Sequence, residues 1–587
     1  MSNLLSQASL VMIPSGYKED VVYSQIPTNG NGDLSFTRAS NGTRVNSAGL
    51  VEVVPWNLCE YSEELNIWTT SRASVTTNAT TAPNGTTTAD KVITDSTANT
   101  THQIYIGPFT TPNLPFVISV YAKKSEYDYI HLGKDTSTTK TWFDLTNGTV
   151  GTQGSDVLSA SIESVGNGWY RCINVINNTS TSSYVELGPA SQDGTRVISG
   201  TPSGGIFAWG AQLNIGSTAK PYFPTTDRLN VPRLTYQNGG GGCPSLLLEK
   251  QSTNEALESN TLTTNPNVVD FSTTTANVYV SPDGTQNAMR FTETTNNNRH
   301  GFYQYTTVTA QTYTASIFTK QTGRRYISFD SDITGTSATS FFDLQTISVV
   351  SSGSGHTCSI QDFGNGWLRL IVTFTASAGA RYVIWGGSPN GTTNSYAGST
   401  SISQTFYGYQ LEASSYPTSY IPTTSASATR VADACYKTGI SSLIGQSAGT
   451  LFLYADIQKH NEVDFYISIS DASNLGEAVY MYQPSSGTLD FLVRNAGNTV
   501  ALSVLNANWT AGLNKVAIAY TATTIEVFIN GVSKGSTTFT ALPTLSQLTI
   551  GSRPDSVGSL VGTGIYSEVV VFPTRLSNSE CISLTTI

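Results

Sequence analysis

Along most of this chain, apolar and polar residues alternate in short runs, a period-2 pattern that sends side chains to opposite faces of a strand. Phe116-Val117-Ile118-Ser119-Val120-Tyr121 and Tyr313-Thr314-Ala315-Ser316-Ile317-Phe318 are of this kind. Thr450 to Ala455, Phe465 to Ile469, Lys515 to Tyr520 and Ile525 to Ile529 also read as strands, and Val569 to Phe572 as a buried one. Asn-Gly pairs at 147–148, 167–168 and 530–531 mark tight hairpin turns, where φ must become positive. A short helix is predicted near the end, where Ser577 and Glu580 have capping-box spacing. The fold expected is all-β: antiparallel sandwiches of the jelly-roll or lectin-like kind.

The sequence also repeats itself. Val165-Gly166-Asn167-Gly168-Trp169-Tyr170-Arg171 returns 198 positions later as Phe363-Gly364-Asn365-Gly366-Trp367-Leu368-Arg369. Trp142-Phe143-Asp144-Leu145 returns as Phe341-Phe342-Asp343-Leu344, and Trp209-Gly210-Ala211-Gln212-Leu213 as Tyr407-Gly408-Tyr409-Gln410-Leu411. Ordered matches at nearly constant spacing identify two copies of one β-module. The expected organisation is an N-terminal attachment segment (1–56), a first sandwich (57–230), a Gly-rich linker with a connecting strand (231–253), a second sandwich (254–439) and a third of different pattern (440–587). Gly239 to Gly242 form a flexible or tightly turned link. Related stretches containing Thr37-Arg38-Ala39-Ser40, Val231-Pro232-Arg233 and Thr429-Arg430-Val431-Ala432-Asp433 read as connectors bracing one sandwich against its neighbour.

Composition narrows the class. Charged residues are 12% of the 587, against about 25% in an average globular protein. A rod of coiled coils would need more Glu, Lys and Leu, and a disordered chain would lack this density of aromatic and β-branched residues. No apolar run of about 20 residues is present, so membrane insertion is not expected. The formal charge of −10 and the lack of a basic stripe argue against a nucleic-acid ligand. Six scattered cysteines without a C-x-x-C pair fit folding in a reducing cytoplasm.

Catalytic chemistry finds little support. His102, His131, His300, His356 and His460 show no H-E-x-x-H spacing, and there is neither a G-x-S-x-G elbow nor a phosphate loop. Glu63-Glu64 reads as a solvated loop, and Asp144 and Asp343 as strand-end caps, rather than as a hydrolytic pair. A sugar site presents a flat aromatic face, and Trp68 and Trp385 are the candidates for such a platform. Trp169 and Trp367 follow Gly-Asn-Gly in both copies and read as core anchors; Trp142 and Trp209 give way to Phe341 and Tyr407, which points to size-tolerant packing. Asp464, Asp471, Asp490 and Asp555 form no dense calcium loop, so no metal ligand is assigned and no cofactor is expected.

The C-terminal pattern resembles the laminin-G / concanavalin A-like lectin fold, through the strands around Val516 and Phe528, the Asn530-Gly531-Val532 turn, Leu548-Thr549-Ile550-Gly551 and the closing Tyr566–Phe572 strand. The two repeats, with Gly-Asn-Gly-Trp and a closing Gln-Leu strand, resemble carbohydrate-binding-module-like sandwiches of tailed-bacteriophage virion proteins. The connectors, including Gly242-Cys243-Pro244-Ser245-Leu246-Leu247-Leu248-Glu249, are similar to those of phage fibre and tail-associated proteins, crAss-like phages included. The resemblance implies a non-enzymatic structural protein of the virion, made in the bacterial host cytoplasm. It implies a head or tail fibre or spike, usually trimeric, docked on capsid or tail proteins by its N-terminal segment and attaching to host-surface glycans. A polysaccharide depolymerase and a purely architectural collar or decoration protein are the alternatives.

Overall fold

A computed structural model describes residues 2–587 except 112–113, 135, 181, 263–266, 459–461, 475, 485–486, 496–497, 505–507, 554–561 and 563. His460 and Asp555 therefore lie outside the described residues. The protein is all-β, built almost wholly from antiparallel strands. It divides into two compact units, residues 54–229 and residues 1–53 with 230–587. Among the described residues, no helix is long and apolar enough to cross a membrane.

The first unit is a sandwich of two six-stranded sheets. Its core is filled by the inward residues of both, among them Phe116, Ile118, Val120, Ile130, Leu132, Phe143, Val185 and Leu187. The second copy, in the other unit, repeats the architecture strand for strand. One sheet runs Asn267–Asp270, Gly301–Val308, Gly379–Ser388, Tyr326–Ser331, Ala338–Asp343 and Ser348–Ser351 in spatial order; the other is also six-stranded. Each copy adds a two-stranded flap, Thr100–Thr101 with Val197–Ile198 in the first and Asn297–Asn298 with Tyr396–Ala397 in the second. The Asn-Gly turns behave as expected: Asn167 and Gly168, and likewise Asn365 and Gly366, all have positive φ.

The C-terminal sandwich draws on three separated stretches of sequence. Its strand Gly564–Phe572 lies between Ala448–Ile457 and Ser245–Leu248, and also pairs with Leu10–Met12. In the facing sheet Leu34–Thr37 pairs with Ala434–Thr438, which pairs with Gln547–Ile550. Leu10, Met12, Leu34, Phe36, Leu234, Leu246 and Leu248 are buried in the same core as Leu451, Phe491, Ile518 and Val569. This differs from the expected boundaries at 56 and 440. The early apolar residues are strands of the last sandwich: Leu10 and Met12 enter its core while Val11 is buried on the opposite face of the same sheet, and Leu34 and Phe36 alternate with more exposed Ser35 and Thr37.

The three connectors meet in a buried ion cluster. Arg38 donates to Asp433 at 2.9 Å and to the Val231 carbonyl at 2.9 Å. Arg233 donates to Glu249 at 2.6 Å and also reaches Asp433. Arg430 lies 3.2 Å from Glu249 and donates to the Lys250 carbonyl at 2.7 Å. Burial of a charge is tolerable only when it is paired and hydrogen-bonded, and each of these five side chains has a charged partner on a connector other than its own.

Candidate functional site

The second sandwich exposes an aromatic surface on one outer sheet face. In the strand Gly301–Val308, Phe302 and Val308 point into the core, so Tyr303 and Tyr305 point out. Register places Tyr303 opposite Ile384 and Tyr305 opposite Tyr382. Tyr305 is 61% exposed, the most open large aromatic side chain among the described residues. Its ring lies 5.4 Å from Tyr303 and 6.4 Å from Tyr382, nearly edge-on to both. Tyr382 is fixed by a 3.0 Å hydrogen bond between its hydroxyl and that of Ser337.

Polar groups share that face. Ile384 is also opposite Asp330, which is opposite Thr339, so Tyr303, Ile384, Asp330 and Thr339 form one row across four strands. At about 4.8 Å per strand, Asp330 stands roughly 10 Å from Tyr303. Asp330 is bound by Arg299 at 3.2 Å and by Asn394, whose amide donates to it at 3.1 Å and to Thr339 at 3.2 Å. Asn394 comes from the segment leading into the flap. The flap is tied down by His300: its Nδ1 lies 2.6 Å from the Phe271 carbonyl and its Nε2 3.1 Å from that of Tyr396. The face thus has a stacking end of tyrosines and a polar end where Arg299, Asn394 and Thr339 gather on Asp330, itself only 7% exposed.

The carboxylates here are engaged by arginine. Arg325 grips Asp343 with two bonds of 2.8 and 2.5 Å and holds its carboxyl below the usual range. Burial raises the Glu293 carboxyl, but bonds of 2.8 and 2.9 Å from Arg324 outweigh it and leave it lowered. A general acid for glycoside hydrolysis needs its affinity for the proton raised, and these two carboxyls shift the other way.

The first copy retains only part of this. Tyr105 and Tyr184 occupy the positions of Tyr303 and Tyr382, 198 residues earlier, with rings 6.1 Å apart. Gly107 stands where the second copy has Tyr305, and the places of Ile384 and Thr339 are taken by Glu186 and Lys140, a buried ion pair.

Trp68 and Trp385 are corrected as platforms: both are buried. Trp68 packs in the first core and donates its indole N–H to the Tyr61 carbonyl at 3.2 Å. Trp385 is 0% exposed, 4.7 Å from the Phe329 ring, at the position that Leu187 fills in the first core. It faces inward because it is one residue out of phase with Ile384 and Tyr382. Trp169 and Trp367 are also buried, donating to the carbonyls of Thr81 at 3.0 Å and Val280 at 3.2 Å. Trp142 and Trp209 are buried as well. Asp144 accepts the backbone N–H groups of Thr146 and Asn147, and Asp343 those of Gln345 and Thr346, as strand-end caps. Tyrosine can offer the same flat apolar face as tryptophan, so aromatic candidates for a platform extend beyond Trp68 and Trp385. The signal was present: Tyr303 and Tyr305 alternate with core residues, and two of the three tyrosines recur at the repeat spacing.

Residues 443–581 match the family described as the concanavalin A-like lectin/glucanases superfamily. No curated protein matches the chain. Among solved structures, the chain is similar in part to the CBM40 of Ruminococcus gnavus IT-sialidase bound to alpha2,3 sialyllactose (16% identity, TM-score 0.23, covering 26% of this chain and 91% of that one). It is also similar to the NanB sialidase of Streptococcus pneumoniae (17% identity, TM-score 0.22, 25% of each chain). A third is the SAP-like pentraxin of Limulus polyphemus (16% identity, TM-score 0.19, 24% of this chain and 71% of that one).

Proposed function

We propose that this protein binds glycans without cleaving them, and that the outer face of the second sandwich is a binding surface. The observation that carries the reading is the cluster of Tyr303, Tyr305 and Tyr382, solvent-facing beside Asp330, Arg299 and Asn394. An exposed ring offers the apolar side of a pyranose a contact surface, while the polar groups orient its hydroxyls. The lectin-superfamily match of residues 443–581 supports the same class of ligand. Arginine-bound carboxylates support binding over hydrolysis. The full chain, screened on a glycan array, should bind a subset of oligosaccharides, and Tyr303→Ala with Tyr305→Ala should abolish that signal. Wild-type silence across the array, or a signal indifferent to the double substitution, would refute the reading.

At a finer level, we read the chain as a fibre- or spike-type structural protein of a tailed-phage virion, trimeric and attached to capsid or tail proteins. The support is the resemblance of its connectors and tandem sandwiches to such proteins, together with a low-charge surface suited to close packing of identical chains. Several copies would then engage weak sugar sites together. Antibodies against the chain should label intact particles, and sedimentation should give three times the chain mass. Unlabelled particles or a monomeric mass would remove this level of the reading and leave glycan binding standing.

A further inference from the structure

We infer that the tyrosine face of the second sandwich selects neutral glycans over acidic ones; this rests on the glycan-binding reading of that face. An acidic sugar, carrying a carboxylate or sulfate, gives up hydration on binding and needs a cation in return. The face and its borders hold four guanidinium groups, and each already has its own carboxylate. Arg299 lies 3.2 Å from Asp330, and Arg381 3.9 Å from Asp332. Arg324 and Arg325 spend two donors each on Glu293 and Asp343. The six strands of this sheet contain no lysine. An incoming anion would therefore meet a surface that is charged but locally neutral, with a carboxylate beside every cation.

For a neutral sugar the same pairs are assets. Asp330, only 7% exposed, accepts from Arg299, Asn394 and Thr339 and fixes them in place; Arg299 and Asn394 offer their remaining donors to sugar hydroxyl groups, and the tyrosines require only a C–H surface. The stacking and polar ends, about 10 Å apart, call for an oligosaccharide rather than a single ring. The net charge of −10 adds a long-range repulsion of polyanions.

The test titrates the full chain with matched pairs, each neutral oligosaccharide beside its sialylated or uronic-acid-bearing counterpart, lactose and 3′-sialyllactose among them, at low ionic strength. The neutral member should bind at least about tenfold more tightly, lose about tenfold with Tyr305→Ala, and keep its affinity as salt rises. Asp330→Asn combined with Asp332→Asn frees two guanidinium groups and should raise affinity for the acidic member. Should that variant fold poorly, the salt dependence of the wild type still decides. Acidic members binding as tightly as neutral ones, with an affinity that falls as salt rises, would overturn the selectivity and leave the glycan-binding reading intact. Binding of neither member would overturn the reading itself.

Discussion

Asp433 receives three donors from three parts of the chain: Arg38 at 2.9 Å, the backbone N–H of Glu249 at 2.8 Å, and Arg233. Removing its charge leaves two buried guanidinium groups short of a partner, so Asp433→Asn should cost about 3–5 kcal/mol, read as a lower urea midpoint with an unchanged slope. The same cluster sets an acid limit. Burial raises the Glu249 carboxyl, but Arg430, Arg233 and the Ser419 bonds outweigh it and hold it at about 2, against an ordinary 4.5. Because the folded value lies below the unfolded one, this stabilisation is complete above the ordinary value and disappears as the pH falls through about 2. In Glu249→Gln, stability should start lower and fall less steeply between pH 4.5 and 2; an unchanged acid slope would contradict the assignment. Little of this was legible beforehand. The connectors could be recognised as related, but a sequence pattern does not show that arginines some 200 residues apart share two carboxylates. Platform residues were hidden for another reason: aromatic type alone does not give facing, and Trp385 and Tyr382 sit three residues apart on opposite faces of one strand.

Strands and turns were far more legible than sites, because alternation and turn chemistry are local. The Asn-Gly hairpins and the capping box of Asn578–Thr585, with Ser577 and Glu580 each bonded to the other's backbone, follow directly from neighbouring residues. The repeat also carried over to topology, since both copies have the same strand order. Pairing across long separations was not legible. Nothing local in Leu10-Val11-Met12 says that its partner is Val569-Val570-Val571. The glycine run resolves as a tight turn: Gly239 to Gly242 all have φ between 73° and 87°. A Cβ on Gly240 would stand 2.6 Å from the Gly49 backbone nitrogen. Gly240→Ala therefore combines a disfavoured φ with a backbone clash and should destabilise this unit by at least about 1 kcal/mol. Thermal unfolding as stable as the wild type would mean that the turn relaxes freely.

Taken whole, the sandwiches of the molecule are not all assembled from consecutive stretches of its sequence. Residues 54–229 contain both sheets of their sandwich and the residues of its core. The C-terminal sandwich is different: 440–587 lacks Leu10–Met12, Leu34–Thr37, Arg233–Thr235, Ser245–Leu248 and Ala434–Thr438, which line or extend its two sheets. Without them, the apolar faces of Leu451, Leu453, Ile467, Ile550 and Val569 lose part of their cover, and sheet edges are left with unpaired N–H and C=O groups. Expressed alone, 54–229 should unfold in one cooperative transition. Expressed alone, 440–587 should bind a hydrophobic dye, lack a sharp transition and aggregate, even though it contains the whole stretch that matches the lectin superfamily. A cooperative, dye-silent 440–587 fragment would show that the borrowed strands decorate this sandwich rather than complete it. In the full chain, loss of residues 1–37 should produce the same defect in the last sandwich, seen as hydrogen exchange rising along Gly564–Phe572 and Ala434–Thr438 while 54–229 stays protected.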